Sequence, residues 1–281
     1  MTYDIRTPET AAKTFCDITR FPISTLPLYQ PCPKKWIASE ELLPHIIANN
    51  NGSLPNDYTD WNFIFSHVTT SANNCASIRE HGLLDLPNSY LCKDSELRTF
   101  LDEHKICIDL NTYRMSYDGR TYSIAYHPES CSERSDPVYK FQSIGEKFCH
   151  DFAICGFLSI RKGDPYKGNV HHAPEILSTI DDALNTHLAE KWHQSHTPYA
   201  ITVKVKGDKI VVHNSEVSDT IADKTFGLVH LAFLNALEMV ENRIILTKNC
   251  IQIPPSDILE ITPFDAWEST SLRYKHLLPR E

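Results

Sequence analysis

Short strands and amphipathic helices follow one another along this chain without a regular strand–helix–strand rhythm, and that order constrains the fold most. Runs rich in β-branched and aromatic residues fall at 61–67, 106–110, 199–205, 210–213, 243–246, 251–253 and 258–261. Between them, apolar residues at three- and four-residue steps predict helices over 39–47, 95–104, 138–158, 174–193 and 223–240. A further three-turn helix is expected after Thr69-Thr70-Ser71, whose hydroxyls suit an N-cap, with Gly82 as its stop. A doubly wound parallel sheet needs strict alternation of strand and helix, so the expected class is α+β. Asp118-Gly119 tolerates the positive φ of a type I′ turn and predicts a hairpin. Gly207-Asp208 is expected to turn 199–205 back onto 210–213. Prolines at 22, 27, 31 and 33 and the loop Asn49-Asn50-Asn51-Gly52-Ser53 set residues 1–60 apart as an N-terminal extension to a domain of 61–281.

Composition then removes whole function classes. Glycine occurs nine times in 281 residues, about half its usual share, and no two glycines are two residues apart. A G-x-G-x-x-G dinucleotide loop is therefore absent. The one four-residue gap, Gly163 to Gly168, is followed by Asn169 where a P-loop needs lysine. A net charge of −9 argues against non-specific coating of nucleic acid and leaves room for a local basic groove. Arg114, Arg120, Lys140, Lys147, Arg161, Lys162 and Lys167, interleaved with tyrosines, suit phosphate contacts and base stacking on single strands. The nine cysteines are an odd number without a C-x-x-C, which predicts reduced thiols in the cytoplasm rather than a disulfide framework or a zinc ribbon. No signal h-region and no apolar run of spanning length is visible, so no membrane association is expected.

Few residues stand out chemically. His67 closes the apolar run 61–67 beside Ser66, Thr69 and Thr70. There, one ring nitrogen can donate to a ribose hydroxyl while amides of the following turn face a polar ligand. The stretch Tyr166 to Glu175 is the densest polar group, holding His171, His172 and Glu175. An acid–base or metal nuclease built on those three is one alternative, although adjacent histidines are expected to point their rings apart. Glu175 in the first turn of a helix has a plainer role in complementing the helix dipole. No serine sits in a G-x-S-x-G elbow.

The run Phe63-Ile64-Phe65-Ser66-His67-Val68-Thr69-Thr70, followed by Asn73-Asn74, Ile78 and Gly82-Leu83, resembles the opening of the ADP-ribosyltransferase superfamily. It is most similar to bacterial toxins that modify nucleic acids. A second segment agrees: Glu241-Asn242-Arg243-Ile244-Ile245-Leu246 runs on to Ile251-Gln252-Ile253-Pro254, like the family's late glutamate strand and its Ile-Pro turn. The resemblance implies split antiparallel sheets around an NAD cleft, with helical insertions. It implies NAD as co-substrate, with no metal, held through the ribose by His67 and Thr69, and a tyrosine, one of Tyr90, Tyr113, Tyr122 and Tyr126, at the nicotinamide. Glu241, or Glu175 in its place, would be the catalytic carboxylate alongside His67. Several members carry glutamate where this chain has Arg243, and Glu241 and Arg243 would share a strand face. That departure keeps open a non-catalytic binding module of the same fold. The implied setting is an anti-phage or toxin–antitoxin enzyme acting on RNA, mRNA included, or DNA, with an antitoxin protein as its partner.

Overall fold

The computed structural model describes residues 1–32, 36, 39–127, 136–159, 170–212, 220–239 and 243–263. They form mixed α and β structure with mainly antiparallel sheets, as the order of elements predicts. Contacts divide the chain into two compact units. The first comprises Met1–His67, Cys155–Asp164 and Thr202–Thr247; the second comprises Val68–Ile154, Pro165–Ile201 and Lys248–Glu281.

In the first unit, residues 1–60 contribute β1 (Thr2–Asp4) and α1 (Pro8–Thr19). β1 pairs in parallel with β2 (Asn62–Ser71), Tyr3 opposite Phe63. Thr7 and Thr10 close a reciprocal capping box at the start of α1, and Pro8 fits its first turn because no hydrogen-bonding N–H is needed there. α1 packs on α9 (Ile221–Ala236), with Phe15 and Phe233 5.0 Å apart. From Leu228 to Ala236 every residue of α9 is buried, the pattern of a helix enclosed on all sides. Next to β2 lies β6 (Cys155–Phe157), followed by β9 (Ile244–Thr247) and β8 (Ile210–Val212), all antiparallel. β7 (Thr197–Lys206) flanks β2 on its other side.

The second unit carries α3 (Ala76–His81), α4 (Leu86–Leu91), α5 (Glu96–Glu103) and the meander β3 (Cys107–Asp109), β4 (Arg114–Tyr117) and β5 (Arg120–Ser123). The helices α6 (Pro137–His150), α7 (Glu175–Leu184) and α8 (Leu188–Ser195) complete it, with β10 (Ile258–Pro263) bonded to β7. Its core gathers Tyr90, Phe100, Met115, Phe148, Ile180 and Trp192. Asp118 and Gly119, at φ 47° and 73°, make the expected type I′ turn. A last helix, α2 (Leu43–Asn49), belongs to the first unit and starts later than Ser39 because Pro44 supplies its first turn.

Five expectations are corrected. β2 does not end at His67 but runs to Ser71, so Thr69, Thr70 and Ser71 are strand residues, and the helix after them is only Ala76–His81. The apolar period over 138–158 conceals a boundary: α6 stops at His150 and the following apolar residues enter β6. The 174–193 helix breaks at Asn185, which turns left-handed at φ 54°. Asp181 then accepts from the amides of Leu188 and Ala189 at 2.6 and 2.9 Å, capping a new helix. β8 pairs with β9 rather than folding back on β7. The 251–253 strand reduces to a single bridge at Ile253. The described strands form one sheet of seven and one of three. No described helix is long and apolar enough to cross a membrane, and no disulfide joins two of the eight cysteines among the described residues.

Candidate functional site

His67 lies in the part of β2 that belongs to the first unit. Its Nδ1 is 2.7 Å from the Cys155 carbonyl, which the pairing of β2 with β6 brings alongside. A carbonyl only accepts, so Nδ1 carries the hydrogen. Burial lowers the imidazole pKa below its ordinary 6.5, while the carbonyl bond pulls the other way. The ring is therefore neutral near pH 7, with a lone pair on Nε2. This reverses the role expected from sequence: towards a hydroxyl, the remaining nitrogen accepts rather than donates. The amides expected to face a ligand just after His67 are not at a helix start, because the strand continues.

The residues that follow have clear local work. Ser71 Oγ accepts from Cys75 N at 2.7 Å and Asn73 N at 3.2 Å, and Asn73 Oδ1 accepts from Ala76 N at 3.0 Å. Asn74 and Cys75 both take left-handed backbone at φ 58°, and Tyr199 donates its hydroxyl to Asn74 Oδ1 at 2.7 Å. Gly82, at φ 83°, lets Leu83 form a two-bond bridge with Ile253: N to O distances are 2.9 and 3.1 Å. A Cβ at position 82 would come within 2.1 Å of the Ile253 oxygen. The Gly-Leu and Ile-Pro segments, which carried the resemblance separately, thus meet.

The other sequence-derived candidates fare differently. Thr69 is half-buried on the same strand, one alternation beyond His67. Tyr90 is fully buried, and its hydroxyl accepts from Ile108 N at 2.7 Å; it is a core residue, closed to a ligand's ring. Tyr122 stacks on Phe141 at 4.6 Å between centroids, which covers one of its faces. Glu175 opens α7 and pairs with Lys147 Nζ at 2.7 Å, in keeping with its plainer role. His171 and His172 do not diverge as expected: their ring centroids are 4.0 Å apart, and His193 lies 4.4 Å from His172. Burial and the two neighbouring imidazoles lower the His171 pKa. Among the described residues, no group of three histidine, cysteine or acidic side chains is arranged to hold a metal ion. Glu241, Arg161, Lys162 and Lys167, together with 166–169 of the polar stretch, lie outside the described residues.

The second unit also holds a polar centre that sequence reasoning missed. Glu96, at the first position of α5, accepts from Ser71 Oγ and from Ala72 N, both at 2.6 Å. His196, at the C-cap of α8, places Nε2 3.5 Å from Glu96 Oε2 and stacks on Trp192 at 3.6 Å. Trp192 in turn donates its indole N–H to Thr70 at 2.7 Å. A cavity of about 480 Å³ opens beside the pair, lined mainly by α5 and the last turns of α8. The local signal was a histidine just past each of two eight-residue helices, His104 and His196. Their polar partners come from distant segments and leave no periodicity. No family model, curated protein or solved structure matches the chain.

Proposed function

We propose that this chain is an NAD-dependent mono-ADP-ribosyltransferase of α+β fold that modifies a nucleic acid, RNA or DNA, as a cytoplasmic toxin of bacterial anti-phage or toxin–antitoxin defence. The observation that carries the reading is His67. A neutral imidazole fixed through Nδ1 on a main-chain carbonyl is suited to accept from a ribose hydroxyl, at the strand position where the resemblance puts that role. The bridge between Leu83 and Ile253, which ties together the two segments of the resemblance, supports it. Thr69 adds a hydroxyl on the same strand face.

Glu241 is the carboxylate of choice, since Glu175 is held in an ion pair by Lys147. Glu241 accepts from the ribose 2′-hydroxyl and stabilises the positive charge that grows at C1′ as its bond to nicotinamide nitrogen breaks. The electron pair leaves with nicotinamide. A nucleophile of the acceptor base then bonds to C1′ and gives up its proton. Tyr113, Tyr122 and Tyr126 remain as tyrosine candidates at the nicotinamide. An enzyme that damages its own host's nucleic acid needs a neutralising antitoxin protein.

Nicotinamide release from NAD, measured with RNA, DNA or protein as acceptor, tests this reading. Release that requires RNA or DNA, is abolished by Glu241→Gln and falls with His67→Ala supports it. Loss with Glu175→Gln alone moves the carboxylate to that residue. NAD binding without release with any acceptor would overturn the enzyme reading in favour of a binding module, and NAD-independent cleavage of nucleic acid would replace it with a nuclease.

A further inference from the structure

We propose that the cavity beside Glu96 and His196 binds an alkylguanidinium group, either a free small molecule or an arginine side chain of another protein. The site lies wholly in the second unit and is independent of the NAD reading. Its volume, about 480 Å³, is in the range of small-ligand pockets.

The hydrogen-bond inventory of its wall points to a donor-rich ligand. α5 and α8 each end in a histidine at the C-cap, and both rings fold back on their own helix. His104 Nδ1 is 2.9 Å from the Phe100 carbonyl; His196 Nδ1 is 2.9 Å from the Trp192 carbonyl and 2.9 Å from Ser195 Oγ, a hydroxyl oxygen that can accept from the same hydrogen. Each carbonyl requires the hydrogen on Nδ1, so in the neutral form of either ring the lone pair is on Nε2. The His196 side chain is only 7% exposed, and its Nε2 faces Glu96 Oε2 across 3.5 Å. Burial is the leading influence on this ring and lowers its pKa, against the Trp192 carbonyl and Glu96, which favour the charged form. Nε2 of a neutral His196 and the Glu96 carboxylate oxygen face each other as two acceptors with no hydrogen between them. Glu96 Oε2, the oxygen facing His196, also accepts from Ala72 N, and Oε1 accepts from Ser71 Oγ.

Charge completes the argument. The wall carries Asp94, Glu96 and Glu103 against one cation, Lys191. At the His196 end, the C-terminus of α8 adds the negative end of a helix dipole. A guanidinium brings one positive charge and five N–H donors in a planar fork, which can serve two neighbouring acceptors at once. A primary ammonium has the charge without the fork. A carbamoyl group has the shape without the charge.

Calorimetric titration of the full chain with agmatine, with N-carbamoylputrescine, in which an uncharged urea replaces the guanidinium and the ammonium is kept, and with the tripeptide Gly-Arg-Gly tests the proposal. Agmatine is expected to bind at least tenfold more tightly than the carbamoyl analogue. Glu96→Gln should weaken it at least tenfold. Glu103→Gln and His104→Ala, which leave the contacts of Glu96 with Ser71 and Ala72 in place, should each weaken it about threefold. Binding of agmatine alone assigns the site to a small molecule, and binding of the tripeptide as well assigns it to a protein-borne arginine. Failure of both guanidinium probes in the millimolar range, equal affinity for the carbamoyl analogue, or unchanged binding in Glu103→Gln and His104→Ala would overturn it.

Discussion

His67 and His196 are alike as isolated groups and opposite in how they are built. In both, Nδ1 meets a main-chain carbonyl, at 2.7 and 2.9 Å, and in both burial drives the pKa below its ordinary value. The carbonyl that fixes His67 belongs to Cys155 and is brought there by sheet pairing. The one that fixes His196 belongs to Trp192, four residues back on the same helix. Yet His67 is the residue a sequence reader singles out, because its neighbours form a recognisable run. His196 gains its chemical interest from Glu96 and, through it, Ser71, which are remote in sequence. Local pattern marks a position, while tertiary pairing decides which ring nitrogen is left to act.

The largest effect expected is on activity. His67→Ala should lower nicotinamide release by on the order of 10²-fold, the usual loss for one positioned polar group at a reacting centre. The same variant should bind agmatine as the parent does. A drop in both would break the separation between the two histidines.

Next in size is a stability effect in the segment that carries the resemblance. Gly82→Ala forces a Cβ against the Ile253 oxygen at a residue with φ 83° and should cost about 2–4 kcal/mol in urea unfolding. Gly119→Ala meets open space at φ 73° and should cost only about 1 kcal/mol of backbone strain. Equal losses would show that the Leu83–Ile253 bridge is not the constraint described.

Trp192→Phe removes the indole donor from the buried Thr70 and alters the ring on which His196 rests. An expected loss of about 1–3 kcal/mol follows from one unsatisfied buried polar group. It should weaken agmatine binding and leave the affinity for NAD unchanged.

The smallest effect is in pH dependence. A histidine with a native pKa below its unfolded 6.5 lets the unfolded chain take up a proton first. Its contribution to stability is whole above pH 6.5 and is lost as the pH falls from there through the depressed native value. His196→Gln should therefore lower the melting temperature less at pH 5 than at pH 7.5. An equal or greater drop at pH 5 would contradict a neutral His196.

How much the sequence disclosed follows the range of each interaction. The Asp118-Gly119 hairpin and α5 were legible because a turn is written in adjacent residues and the apolar face of a short helix in a single period, here Leu97, Phe100 and Leu101. The break at Asn185 was not, since it depends on Asp181 capping the next helix rather than on any loss of apolar period. The pairing of β8 with β9 was equally hidden, because Gly207 marks an end to β7 without saying which strand comes alongside. Tyr90 shows the same limit at the candidate site: a tyrosine in a plausible interval proved to be the hydroxyl that receives the Ile108 amide inside the core.

The central claim is that His67 is a neutral acceptor that receives the ribose of NAD. Long-range ¹H–¹⁵N correlation of the imidazole nitrogens, recorded at neutral pH during an NAD titration, tests it most directly, with His67→Ala for assignment. The account predicts that His67 carries its hydrogen on Nδ1 and that its Nε2 resonance moves as NAD is added, while those of His196 stay in place. A hydrogen on Nε2, or a His67 ring that does not respond to NAD, would contradict it.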